Sequence, residues 1–105
     1  MLTSKQRSYL RGLAQKIEPI TQLGKSGITE AFIESLDKAI EKRELIKITV
    51  LENSGYDVRD AGEQIASQLF CEFVCATGKK LVFYRRSLLP NVEHQLPEFT
   101  QTHVH

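Results

Sequence analysis

The stretch of this sequence best suited to chemistry is a short loop with glycine at both ends: Gly24, Lys25, Ser26 and Gly27. A β-like run (residues 20–23) precedes it, and an amphipathic helical pattern follows it. Thr29 is the expected N-cap of that helix, with Glu30 in its first turn. The loop should therefore present backbone N–H groups, one ammonium group and a positive helix end to the same space, which suits an anion such as phosphate.

Three interpretations of this loop compete. The glycines could serve only a strand-to-helix turn, because glycine permits sharp turns and close approach of two backbones. A nucleotide-binding P-loop would need glycine five positions before Gly24, where the sequence has Pro19, so this interpretation is excluded. The third is a clamp on a nucleic-acid backbone, the use that KH modules make of a Gly-x-x-Gly loop. The loop alone does not decide between the turn and the clamp.

Length and composition limit the protein to one globular domain. The chain has 105 residues, of which 41% are apolar and 26% charged, enough for a single core without disulfides or metals. No apolar run is long enough to span a membrane, and the N-terminal residues lack the apolar region of a signal peptide. We expect a cytoplasmic protein that does not associate with membranes.

Charge is distributed unevenly along the chain. The net charge is only +1, so a globally basic nucleic-acid binder is not indicated. Residues 1–29 nevertheless carry five basic residues against one acid, and residues 79–86 carry four basic residues and no acid. Residues 30–72 carry ten acids against five bases. If the fold joins the two basic blocks, the molecule has a basic face and an acidic back; otherwise these charges are ordinary solvated surface.

Three helices are predicted from apolar residues that recur with helical spacing. The first begins at a capping box near Thr3 or Ser4 and ends near residues 16–18, before Pro19. The second runs from about residue 29 to 43. The third has Asp57 or Ser54 near its cap and continues to Leu69.

Four strands are predicted at residues 20–23, 45–51, 71–76 and 81–85. The second is the most apolar and is expected to be central in the sheet. The last two are close enough in sequence to form an antiparallel hairpin. The order α-β-α-β-α-β-β predicts a single α/β domain with a four-stranded mixed sheet covered by helices. We expect the domain to span residues 1–86 and residues 87–105 to form a flexible C-terminal tail.

No enzymatic or metal site is evident. Cys71 and Cys75 lie four residues apart on one predicted strand, so both should face the same side as small buried apolar residues, without a disulfide. All three histidines lie in the predicted tail, where His103 and His105 could bind a metal only weakly. We expect no catalytic residues, no metal and no cofactor.

Four ordered segments resemble the bacterial YhbY family, whose domain is also called the CRM domain in plant organelle splicing factors. They are Lys-Gln-Arg with Leu-Arg-Gly-Leu-Ala (residues 5–7 and 10–14), Gly-Lys-Ser-Gly-Ile-Thr-Glu (24–30), Glu-Leu-Ile-Lys-Ile (44–48) and Gly-Lys-Lys-Leu-Val-Phe-Tyr-Arg (78–85). The resemblance covers roughly residues 1–86. It implies a fold similar to the C-terminal domain of translation initiation factor three.

The resemblance also implies RNA binding through the Gly-x-x-Gly loop and neighbouring basic residues. Standalone bacterial members are associated with precursors of the large ribosomal subunit, so the implied partners are ribosomal RNA and a pre-ribosomal particle. We expect a monomer that aids ribosome assembly and recognises RNA shape and backbone. The candidate RNA-binding residues are Gly24, Lys25, Ser26, Gly27, Lys5, Arg7, Arg11, Lys16, Lys79, Lys80 and Arg85. The alternative is a protein-interaction module on the ribosome or an assembly factor, using the acidic second and third helices.

Overall fold

A computed structural model describes residues 2–96. The described residues form three α-helices and four β-strands, in the order predicted from the sequence, and one 3₁₀ helix that was not predicted. The elements are α1 (Ser4–Ala14), β1 (Thr21–Leu23), α2 (Glu30–Arg43), β2 (Leu45–Val50), η1 (Glu52–Ser54), α3 (Val58–Leu69), β3 (Glu72–Thr77) and β4 (Lys80–Tyr84).

The predicted helix caps are present. Thr3 and Gln6 form the reciprocal capping box of α1, Thr29 accepts a hydrogen bond from the N–H of Phe32, and Asp57 accepts one from the N–H of Asp60. Each cap satisfies a backbone donor that the first turn of a helix leaves without a partner. These local signals explain why the helix starts could be predicted closely.

The sheet is mixed, with the strand order β1-β2-β4-β3. β1 and β2 are parallel, and β4 pairs antiparallel with both β2 and β3. The prediction of a central second strand and a terminal hairpin is confirmed. Strand β4 lies between β2 and β3, so β3 is an edge strand.

The two faces of the sheet have separate cores. On one face, α2 and α3 pack against Ile46, Ile48 and Phe83. On the other face, α1 packs Leu10 and Ala14 against residues of β2, β3 and β4. Burial of these apolar side chains on both faces stabilises the three-layer arrangement.

A β-bulge in β3 makes one sequence prediction wrong. Phe73 pairs with Phe83 and Cys75 with Val82, so Val74 is an extra residue on β3. The bulge reverses the alternation of side chains. As a result Cys71 packs with the α2/α3 core and Cys75 with the α1 core, on opposite faces of the sheet. Both cysteines are free, and burial raises the pKa of the Cys71 thiol to about 12.

The described part of the predicted tail packs on the domain, contrary to the expectation of a flexible tail. Residues 87–96, called here the C-terminal segment, bring Leu96 into the α1 core, and Ser87 is also buried. The fully buried carboxylate of Glu44 accepts hydrogen bonds from the N–H groups of Ser87 and Gln95, each at 2.7 Å. His94 Nδ1 lies 2.6 Å from the same carboxylate. The polar, proline-containing sequence of this segment gave no sign of the packing, because the segment is held by Glu44, which lies 43 residues before Ser87.

Two further sequence predictions concern metals and membranes. Among residues 2–96, no group of three or more His, Cys, Asp or Glu side chains could hold a metal ion. His103 and His105, the pair considered as a weak metal site, lie outside the described residues. No helix in the described part of the chain is long and apolar enough to cross a membrane.

Candidate nucleic-acid interface

The Gly-x-x-Gly loop connects β1 to α2 and is closed by its own backbone. The N–H of Gly27 donates to the carbonyl of Gly24 at 3.0 Å, and the N–H of Thr29 donates to the carbonyl of Gly27 at 3.1 Å. Gly27 has a φ of +81°, a conformation that side chains disfavour. Gly24 does not have a positive φ, and a Cβ there would make only an ordinary contact with Leu51. The turn therefore requires glycine at position 27 and not at position 24.

The side chain of Tyr56 contacts the backbone at the end of the Gly-x-x-Gly loop, a role that the sequence pattern did not reveal. Its hydroxyl accepts a hydrogen bond from the N–H of Ile28 at 3.3 Å. A Cβ added at Gly27 would lie 3.2 Å from the same oxygen, so a larger residue at position 27 would crowd the Tyr56 hydroxyl. The position of Tyr56 just after the Asn-Ser-Gly turn was the only signal available in the sequence.

The internal hydrogen bonds leave only part of the loop available to a ligand. The N–H groups of Gly27, Ile28 and Thr29 have partners within the protein. In the described structure, the N–H groups of Lys25 and Ser26 have none, and both residues are exposed. The two free N–H groups and the Lys25 ammonium lie beside the N-terminus of α2, whose dipole favours an anion.

Three connections meet at this end of the sheet, called here the loop end: residues 24–27, 52–55 and 78–80. The N–H of Leu51 donates to the carbonyl of Leu23, and the N–H of Val50 donates to the carbonyl of Lys79. These bonds place the β3–β4 turn and the Gly-x-x-Gly loop on opposite sides of the end of β2. Two predicted RNA-binding residues, Lys79 and Lys80, are thereby brought to the same end as Lys25.

The two lysines of the β3–β4 turn differ in their surroundings. The ammonium of Lys79 lies 2.7 Å from the carboxylate of Glu52, and this hydrogen bond and charge lower the pKa of Glu52. Lys80 is exposed and lines a groove with Arg11, Gln15, Lys47 and Thr77 on the α1 face of the sheet. Because the Lys79 pair is exposed to solvent, an anionic ligand can compete with Glu52 for the ammonium.

Arg7 and Arg11 project from α1 toward β3. One guanidinium nitrogen of Arg7 donates to the carbonyls of Phe73 and Val74, at 2.7 and 2.8 Å. Arg11 is exposed and lines a groove along β3. Arg7 thus has a structural role in addition to the charge predicted for it.

Lys5, Lys16 and Arg85 lie away from the loop end. Lys16 lies near Leu45, where β2 begins, and β2 separates it from the loop end by about 17 Å, given a rise of about 3.4 Å per residue. Lys5 lies in the first turn of α1, whose start is near the beginning of β3 and the end of β4. The structure therefore does not unite all the predicted basic residues on one face.

Arg85 is bound within the protein. Its guanidinium donates to a carboxylate oxygen of Asp37 at 2.8 Å, to the carbonyl of Leu69 at 2.7 Å and to Glu41 at 3.2 Å. These bonds join the C-terminal half of α2 and the end of α3 to the residue that follows β4. Only a fifth of the Arg85 side chain is exposed, so its charge stabilises the fold and is little available to a ligand.

Comparison with known proteins agrees with the resemblance seen in the sequence. The CRS1/YhbY (CRM) domain family matches residues 2–85. The chain is 37% identical to Probable RNA-binding protein YqeI of Bacillus subtilis, over 92% of this chain and 100% of that protein. It is 34% identical to a Haemophilus influenzae protein named RNA-binding protein, over 82% of this chain and 87% of that protein. None of these names denotes an enzyme.

A solved structure shows the same fold. It is the solution structure of hypothetical protein SAV1595 from Staphylococcus aureus, described as a proposed RNA-binding protein. The two chains are 44% identical, with a TM-score of 0.76, and the match covers 92% of this chain and 100% of that one. The single α/β domain with a mixed four-stranded sheet, predicted from the sequence, is confirmed.

Proposed function

This chain belongs to the CRS1/YhbY (CRM) domain family, and from that premise we propose that it is an RNA-binding protein whose loop end contacts the RNA backbone. One observation carries the assignment of the site. Lys25 and Ser26 hold two free N–H groups and one ammonium toward solvent beside a helix N-terminus, while the N–H groups of Gly27, Ile28 and Thr29 are bonded within the protein. This arrangement fits a phosphate group better than it fits an uncharged ligand.

Lys79 and Lys80 supply further positive charge at the same end of the sheet. Together with Lys25 they form a basic surface that suits contacts with backbone phosphates rather than with base edges. Tyr84 is buried, and burial raises the pKa of its hydroxyl, so it is not available for base stacking. We therefore propose recognition of RNA shape and backbone, with little dependence on base sequence.

We further propose that the RNA is ribosomal RNA in precursors of the large subunit, and that the protein acts in the cytoplasm as a monomer in ribosome assembly. Family resemblance supports this assignment. The alternative, a protein-interaction module using acidic α2 and α3, is less well supported. Asp37 and Glu41 of α2 are paired with Arg85, and Glu44, which follows α2, is buried, so these three acids already have partners within the protein.

Binding measured at several salt concentrations tests the site. Lys25→Ala should weaken RNA binding and reduce the salt slope by about one ion. Ser26→Asp should weaken binding more, because it places a negative charge beside the free N–H groups. Position 26 is exposed and not held in a positive-φ conformation, so the fold should persist. Lys38→Ala, at an exposed lysine of α2, is the matched control and should leave binding unchanged.

Both a large-subunit rRNA fragment and an unrelated structured RNA should be used. Similar losses on the two RNAs would indicate backbone recognition, and a loss on one alone would indicate a sequence or shape preference. Circular dichroism verifies that each variant is folded. Unchanged affinity in folded Ser26→Asp protein would show that the loop is only a turn and that RNA is bound elsewhere.

A further inference from the structure

The open edge of the sheet carries a second basic feature, called here the edge groove. It has a volume of about 530 Å³ and runs along β3, between α1 on one side and α3 on the other. Three arginines line it: Arg7 and Arg11 from α1 and Arg59 from α3. Glu63 is the one acid among its lining residues. Within residues 2–96, neither Arg11 nor Arg59 forms an ion pair, so their charges are not neutralised by the protein.

Arg7 holds a fixed position in this groove. Its Nη1 atom donates to both carbonyls of the β3 bulge, those of Phe73 and Val74. A guanidinium has five N–H donors, and Nη1 carries two of them. In the described structure the remaining donors, on Nε and Nη2, have no partner. The hydrogen bonds to the bulge therefore orient a cation whose other donors remain available for an oxyanion.

The same contact makes strand addition at this edge unfavourable. An extended peptide that joined β3 would need the free carbonyls of the edge strand. Two of these carbonyls already accept hydrogen bonds from Arg7, and the bulge interrupts the regular ladder at the same place. A cluster of guanidinium groups that have no acidic partner, beside an edge whose carbonyls are already bonded, fits an anion better than it fits a β-strand.

The edge groove is connected to the loop end. A second groove on the α1 face shares Arg11, Cys75 and Thr77 with it and continues to Lys80. Lys80 follows the β3–β4 turn, and its backbone pairs with Thr49 near the end of β2. A flexible polyanion that contacts the loop end can thus pass Lys80 and Arg11 and reach Arg7 and Arg59.

We propose that the edge groove is a second RNA-binding site, which takes a backbone phosphate between Arg7 and Arg59. This inference rests on the proposed function, and it adds Arg59 and Glu63, which the sequence did not single out. Arg7 supplies the oriented donors, and Arg11 and Arg59 supply the flanking charge. Glu63 opposes an anion in the groove, so the two α3 residues should affect binding in opposite directions.

Three exposed charge-neutralising variants test this inference: Arg59→Gln, Glu63→Gln and Lys38→Gln as the control. RNA affinity is measured by fluorescence anisotropy at 0.1 M salt with the large-subunit rRNA fragment. Loss of one phosphate contact should lower affinity about fivefold to tenfold in Arg59→Gln and reduce the salt slope by about one. Glu63→Gln should raise affinity roughly threefold, because a repulsive charge near the phosphate is removed. Lys38→Gln should match the unmodified protein.

The outcomes separate this inference from the proposed function. If Lys25→Ala and Ser26→Asp weaken binding but Arg59→Gln and Glu63→Gln match the control, the edge groove proposal is overturned and the loop site stands. If the unmodified protein binds neither RNA, both proposals are overturned. If Arg59→Gln weakens binding of a polyglutamate peptide but not of RNA, the groove takes an acidic protein segment instead. Urea unfolding of each variant confirms that the fold is retained.

Discussion

The two ends of the sheet use the same kinds of residues for different purposes. At the loop end, Lys25 and Lys80 are exposed, and Lys79 pairs with Glu52 only at the surface. At the opposite end, where β2 begins and β4 ends, Arg85 and Glu44 lie within dense hydrogen-bond networks. The difference is burial. A charge that has left water must find partners inside the protein, whereas an exposed charge can serve a ligand.

This contrast predicts that variants at the two ends should separate stability from RNA binding. The opposite end should control the free energy of unfolding with little effect on RNA affinity. The loop end should affect RNA affinity more than the free energy of unfolding, except at Gly27, where the positive φ makes glycine a structural requirement. Four changes test the contrast, beginning with the largest expected effect.

Glu44→Gln should cost roughly 3 kcal/mol of unfolding free energy, measured by urea denaturation. The amide oxygen can still accept a hydrogen bond from the C-terminal segment, but that bond is no longer strengthened by a negative charge. The amide NH₂ group would face the N–H of Ser87 or Gln95, so two donors would meet without an acceptor. RNA affinity of the folded fraction should not change. Glu34→Gln, at an exposed acid of the same helix, is the control and should alter stability by less than about 0.5 kcal/mol. A small effect at position 44 would mean that the C-terminal segment contributes little to stability.

Arg85→Gln should cost roughly 1 to 2 kcal/mol, because the carbonyl of Leu69 and two acids lose their shared donor. Its effect on RNA affinity should be smaller than that of Lys25→Ala. The comparison uses the same RNA and salt series for both variants. A steep loss of RNA binding with unchanged stability would place Arg85 on the RNA surface, as first predicted from the sequence.

Gly27→Ala should be less stable than Gly24→Ala by roughly 1 kcal/mol, since only position 27 has a positive φ. Contact between the new Cβ and the Tyr56 hydroxyl adds to the strain. Thermal unfolding of the two variants measures the difference. Equal melting temperatures would contradict the view that only the second glycine of the loop is required by geometry.

Acid should loosen the C-terminal segment before the rest of the domain. Burial by itself would raise the pKa of Glu44, but hydrogen bonds from Ser87, His94 and Gln95 outweigh it, so the pKa is lowered from 4.5. A lowered pKa in the folded state means that this stabilisation is present above pH 4.5 and is lost as the pH falls through the folded-state value. The loss of stability should be the smallest of the four, because a protonated carboxyl oxygen can still accept a hydrogen bond, whereas the amide nitrogen introduced by Glu44→Gln cannot.

Amide hydrogen exchange followed by NMR can measure this effect at Ser87 and Gln95, whose N–H groups donate to Glu44. Their protection should fall below pH 4.5 relative to the N–H of Val50, a buried residue bonded to the backbone of Lys79. Protection that changes equally at all three positions would indicate global unfolding instead.

Much of the fold follows from local patterns. The capping residues Thr3, Thr29 and Asp57 mark the helix starts because their side chains bond to backbone donors only three residues away. The apolar residues of β2 identify a central strand because both of its faces are covered. The Gly-x-x-Gly loop was recognisable for the same reason, since turn geometry depends on neighbours in sequence.

Other features depend on contacts between distant parts of the chain. The bulge that sends Cys71 and Cys75 to opposite faces arises from pairing between β3 and β4, which neither strand reveals alone. Arg59 joins Arg7 only because β3 is an edge strand with α1 and α3 on opposite faces.

The sequence by itself therefore determined the order of helices and strands, the helix caps and the position of the Gly-x-x-Gly turn. Tertiary structure alone decided which charges are exposed at the loop end and which are buried, as Glu44 is beneath residues 87–96. The physical reason is range: caps and turns are settled within a few residues, whereas desolvation of a charge depends on everything that packs around it.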